Sequence, residues 1–186
     1  MQPIESFKYF GLLAFVILII GLAFVVIKWP QNNHLTFSQH IAKQRSSILY
    51  YIGLFSVTLP LLLSFFIFWF MPTFDVSIWF AVFLVVSSAA QYACTFIPET
   101  SGWKVKYHRL LSGISGICLI PLLVILLFTP TTTTVDKFAI ISGLATIAGV
   151  LYVVMSNKKE QYEPSYIHQT VYYLGFFAPI LFISYL

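Results

Sequence analysis

Charge is what this chain has least of. Only 9% of its 186 residues are Asp, Glu, Lys or Arg, where a soluble globular domain carries about 25%. That deficit excludes an ordinary water-soluble domain. The long apolar runs contain no Asp, Glu, Lys or Arg. Ion-driven transporters usually place such groups near the bilayer midplane, so their absence argues against ion-coupled transport. No lysine lies mid-run to form a retinal Schiff base, and no deep histidine pair stands ready for an intramembrane b-type haem. There is no Gly-rich nucleotide loop and no feature that points to DNA or RNA contact. Two cysteines, Cys94 and Cys118, both fall in apolar runs and read as small core residues.

What the chain has is hydrophobic length. It is 59% hydrophobic, with a mean hydropathy of +0.89. A bilayer core of about 30 Å takes about 20 apolar residues per helix. Runs over residues 10–27, 48–70, 76–96, 110–128, 138–155 and 166–186 therefore predict an all-α protein. Its six transmembrane helices would form one bundle domain joined by short hairpin loops. The first run is longer than a signal-peptide core and lacks a small-residue cleavage site, so it reads as a retained span. Ser38, Asp75, Asp136 and Ser165 are the expected helix caps. Pro60, Pro121 and Pro179 each kink one of the even-numbered spans. Small residues at Ser142, Ala145 and Gly149 suggest a close-packing helix face.

Basic residues set the expected orientation. The first connection holds Lys28, Lys43 and Arg45, the third Lys104, Lys106 and Arg109, and the fifth Lys158 and Lys159. The remaining basic residues are Lys8 and Lys137. The positive-inside rule then puts the odd-numbered connections in the cytoplasm and both termini outside. An inner or plasma membrane is the expected location. Trp29, Tyr50, Trp103, Tyr107 and Tyr166 would sit at the inner interface, Trp69 and Trp79 at the outer.

The most polar interruption is Phe96-Ile97-Pro98-Glu99 through His108-Arg109. All four histidines, His34, His40, His108 and His168, fall in the odd-numbered connections or the first turn of the following span. Three readings compete. Glu99, His108 and His168 are the candidate catalytic residues of a lipid hydrolase or transferase. Such an enzyme would use zinc or iron held by His40, His108 and His168. No H-x-x-x-H or H-E-x-x-H pair supports that metal set, and no cofactor is the primary expectation. In the second reading the even spans point their helix N-termini at the cytoplasmic face. There His40, Arg45, Gln91, Lys104, Lys106 and Arg109 would bind a lipid headgroup or similar phosphate. Gln91 is singled out as an amide buried within a span, which must face a partner helix or a cavity. In the third reading the chain has no chemistry and packs against another membrane protein, or itself, through small-residue faces. The second and third readings lead: a non-enzymatic protein binding membrane lipid or a partner protein at a cytoplasmic-side cavity. A small-solute transporter is the remaining alternative.

Phe96-Ile97-Pro98-Glu99 with His108, and Thr36-Phe37-Ser38-Gln39-His40 before the second span, carry a resemblance. The chain resembles a bacterial and archaeal family of six-span membrane proteins (domain of unknown function 998). In that family a Phe-Pro-acid turn closes span three and a His opens span four; here Ile97 is interposed. The layout is more distantly similar to Frag1/DRAM-like six-span proteins. The resemblance implies six spans and points to Glu99 and His108. It implies no activity and no cofactor. For Glu99 and His108 it leaves two roles open, a structural lock on the turn or a proton-handling pair.

Overall fold

A computed structural model describes residues 2–30, 35–42, 44–156 and 165–186. The expectations placed on His34, Lys43, Lys158 and Lys159 lie outside the described residues. Among those described, every regular element is helical. A 3-10 turn, Glu5–Phe7, leads into α1 (Lys8–Lys28). The short α2 (Phe37–Ile41) precedes α3 (Arg45–Phe65), which passes through a π turn at Phe66–Phe70 into α4 (Met71–Phe74). Then follow α5 (Ile78–Phe96), α6 (Trp103–Ile117), α7 (Leu119–Leu127), α8 (Thr134–Ser156) and α9 (Tyr166–Tyr185). Six of the resulting helical stretches, 19 to 30 residues long, are long and apolar enough to cross a membrane. Their outer faces carry exposed Leu12, Ile20, Val57, Val85 and Ile141, the surface an acyl-chain solvent favours.

The helices close into a ring. α1 packs on α3, α3 on α5, α5 on α6 and α7, α7 on α8, α8 on α9, and α9 returns to α1. Lipid tails are as apolar as Leu, so such helices associate through close packing rather than the hydrophobic effect. The α8–α9 crossing shows this. A Cβ on Gly143 would stand 2.3 Å from the Gly175 carbonyl oxygen. Ile140, Gly143 and Ile147 face inward there, while Ser142, Ala145 and Gly149 are exposed. The expected small-residue face thus points away from the bundle. The seam lies one register over, because Gly143 alone admits the α9 backbone.

The two ends differ in material. Phe65, Phe66, Phe70 and Phe80 pack ring to ring at one end. The chain termini meet there too. The Tyr185 hydroxyl donates to the Lys8 carbonyl, and the Ile4 amide donates to the Phe68 carbonyl at 3.0 Å. Trp69 is 3% exposed. It stacks on Phe65, and its indole N–H donates to Glu5 at 3.3 Å. The opposite end gathers α2, the turn after α5 and the start of α9. Their backbones join where the Tyr166 amide donates to the Leu35 carbonyl at 2.8 Å.

Several local expectations change. α6 begins at Trp103, ahead of the expected 110, and α3 at Arg45. Lys and Arg are good helix formers, so these helices run on past the apolar stretch. Asp75 is not the cap of α5. It sits in left-handed conformation at φ 50° after α4, and Ser77 caps α5. Asp136 lies inside the first turn of α8, where its carboxylate accepts from the Thr133 amide at 2.8 Å and Thr133 Oγ1 accepts from the Asp136 amide at 3.2 Å. That reciprocal pair is a capping box with Thr133 as its cap. Ser165 does cap α9.

Candidate functional site

Thr36 builds the first wall. It caps α2 in a capping box, accepting from the Gln39 amide at 3.2 Å while Gln39 Oε1 accepts from the Thr36 amide at 2.9 Å. Ser38, expected as the cap, is therefore inside the helix, and its hydroxyl points across to the turn after α5. It donates to Glu99 Oε2 at 3.0 Å. The Thr36 hydroxyl lies 2.9 Å from the Ser38 hydroxyl and also donates to Glu99 Oε2 at 3.4 Å. Glu99 Oε1 accepts from Arg109 Nε at 2.8 Å. The Glu99 side chain is 6% exposed against 58% for Arg109. A carboxylate so withdrawn from water needs charge-assisted partners, and the guanidinium and the hydroxyl supply them.

His108 stands one turn into α6 and is 5% exposed. Its Nδ1 lies 2.6 Å from the Ile97 carbonyl oxygen. A carbonyl only accepts, so Nδ1 carries the proton and the ring pins the 97–102 turn to α6. Cys94 Sγ lies against the same ring, 3.4 Å from Nε2. Glu99 and His108 are thus near one another but committed to different partners. In α9, His168 Nδ1 accepts from the Ser165 amide at 3.3 Å, which leaves that nitrogen unprotonated. Gln169, one residue on, accepts from the Phe37 amide through Oε1 at 3.0 Å. It joins α9 to α2.

These residues wall two cavities. A cleft of about 400 Å³ lies among α6, α8 and α9, with Glu99, His108, Arg109, His168 and Gln169 in its wall. Ile117, Val150, Leu151 and Val154 line it as well, and Gly113 opens one wall. A smaller chamber of about 80 Å³ lies inside the ring, bordered by Ser87, Ser88, Gln91 and Ser115. Gln91 Oε1 accepts from the Tyr173 hydroxyl at 3.4 Å, and Ser87 donates to the Ser115 carbonyl at 2.8 Å. Ser38, His108, Ser112, Gln169 and Tyr173 border both cavities.

Of the residues singled out in the sequence, the structure brings Glu99, His108, Arg109 and His168 to the cleft and Gln91 to the chamber. His40, Arg45, Lys104 and Lys106 line neither. His40 is 1% exposed, with Nδ1 3.3 Å from the Trp29 carbonyl, its ring edge-on to Tyr166 and Nε2 buried with no hydrogen-bond partner. Arg45 and Lys106 are exposed and Lys104 is half-buried. His40, His108 and His168 do not converge, and among the described residues no three His, Cys, Asp or Glu side chains form a metal-binding group. Thr36, Ser38, Gln169 and Tyr173 were missed. The Thr-x-x-Gln spacing of 36–39 was a readable capping box, and Gln169 was a second amide in the last apolar run. No family model, curated protein or solved structure matches this chain.

Proposed function

We propose that the protein is a multi-pass inner- or plasma-membrane protein that binds a lipid in the cleft among α6, α8 and α9. The observation that carries this reading is the cleft's amphiphilic wall. Glu99, Arg109, His168 and Gln169 line it together with Ile117, Val150, Leu151 and Val154. A lipid has the same two kinds of surface. Glu99, Arg109 and His168 belong to the bundle end where Arg45 opens α3 and Lys104, Lys106 and Arg109 lie in the first two turns of α6. By the positive-inside rule that end faces the cytoplasm and both termini lie outside. Alkaline phosphatase fused after Leu186 is expected to be active; an inactive fusion reverses the orientation.

Gly113 gives the direct test of binding. It borders the cleft, and a Cβ there would meet nothing within 4 Å. Gly113→Phe should fill the cleft without disturbing the fold. Protein purified in mild detergent is extracted and its lipids are weighed against protein by mass spectrometry. Wild type is expected to retain lipid stoichiometrically and the variant to lose it at unchanged melting temperature. Equal retention by both would overturn the assignment of the cleft.

A further inference from the structure

We infer that the bound lipid presents an uncharged, hydrogen-bonding head, such as the hydroxyl of a diacylglycerol, to the chamber, and that anionic phospholipids are disfavoured. This rests on the cleft reading and narrows it. The chamber and the cleft share the wall made by Ser38, His108, Ser112, Gln169 and Tyr173. They therefore adjoin, the chamber setting Ser87, Ser88, Gln91 and Ser115 among apolar side chains such as Phe55, Leu84 and Phe176. At about 80 Å³ the chamber holds roughly two to three waters at about 30 Å³ each. A hydroxymethyl or ester-sized group fits that space.

Charge favours a neutral group. No Asp, Glu, Lys or Arg lines the chamber, whose polar side chains are hydroxyls, amides, the Cys94 thiol and His108. At the cleft the Arg109 guanidinium is already paired to the buried Glu99 carboxylate at 2.8 Å. His108 donates one ring proton to a carbonyl, and His168 accepts a backbone N–H through Nδ1. The basic residues expected to grip a phosphate, Arg45, Lys104 and Lys106, line neither cavity. A phosphate in the cleft would stand beside Glu99 with no uncommitted cation lining the wall. A hydroxyl or ester would meet donors and acceptors of its own kind at Ser88, Gln91, Ser112 and Tyr173.

The test titrates purified wild-type protein in detergent with dioleoylglycerol and, separately, with dioleoylphosphatidylglycerol, each at low and high salt. Diacylglycerol is expected to bind about tenfold or more tightly than the phospholipid, with no salt dependence. Gln91→Leu and Ser88→Ala, made separately, should each weaken diacylglycerol and leave the phospholipid unchanged. The wild-type comparison stands even where a variant fails to fold. Phosphatidylglycerol binding as tightly, and weakening with salt, would overturn the neutral-head inference while leaving the cleft reading intact. Binding of neither lipid would overturn the neutral-head inference, while lipid lost on purification of Gly113→Phe would still uphold the cleft reading.

Discussion

At one end of the bundle Phe65 and Phe66 meet with ring centroids 4.9 Å apart, Phe66 and Phe70 at 5.5 Å, and Phe70 and Phe80 at 6.0 Å. At the other, Ser38, Glu99, Arg109, His108 and Gln169 surround space. The contrast follows from what each side chain must satisfy. Aromatic rings have no directional obligation beyond edge and face, so they close on one another until no room remains. Hydroxyls, carboxylates and amides must reach a partner at a fixed distance. Glu99 is held by α2 and α6, Gln169 by α2, and Gln91 by α9. These struts hold the helices at set distances, and the cavities lie between them.

That comparison can be broken at its closed end first. Phe80 is fully buried between Phe66 and Phe70. Phe80→Ala should cost about 3 kcal/mol, the low end for such truncations, because the membrane reference already shields apolar surface. Thermal or SDS denaturation of purified protein reads this; a loss no larger than at an exposed site would mean the aromatic end is not packed. Gly143→Ala comes next. Its methyl would meet a backbone carbonyl that cannot rotate away, forcing α8 from α9 at a cost of about 1–3 kcal/mol. An unchanged melting temperature there would contradict the crossing.

The polar end should respond less. Glu99→Gln keeps the shape but removes the ion pair to Arg109, and about 1 kcal/mol is expected. In a double-mutant cycle with Ser38→Ala, coupling should be of the same order, since the hydroxyl donates to that carboxylate. Additivity would show that the strut carries no strain between α2 and the turn after α5. Smallest of all is Gly113→Phe, within about 0.5 kcal/mol of wild type. A ring added to the open cleft should be nearly neutral, where a methyl at Gly143 is not. A large destabilisation by Gly113→Phe would mean the cleft is no open space.

Six membrane-length helices were legible from hydropathy because a bilayer sets one length and punishes charge within it. Glu99, His108 and Gln91 were legible as residues with obligations, since a polar group beside or within an apolar run must find a partner. Their partners were not legible. Ser38 and Gln169 reach the site across α2–turn and α2–α9 contacts between residues far apart in the chain, and no local spacing announces such a meeting. Arg109 was grouped with Lys104 and Lys106 as one basic cluster. The helical turn instead directs Arg109 to Glu99 and leaves both lysines outside the cavities. The prolines also looked alike in the sequence and are used differently: Pro60 lies within α3, Pro121 follows a break at Cys118, and Pro179 packs near Gly143.

Sequence by itself therefore determined the number of membrane-length helices and which side chains needed partners, because solvent and desolvation act on each residue alone. Only the tertiary structure decided that Gly143 rather than Ser142, Ala145 and Gly149 makes the seam, and that His40, His108 and His168, from three connections, yield no shared ligand set among the described residues. It alone decided that a buried carboxylate faces a hollow. Those outcomes depend on which faces of six helices meet, and that is fixed by close packing around the whole ring at once.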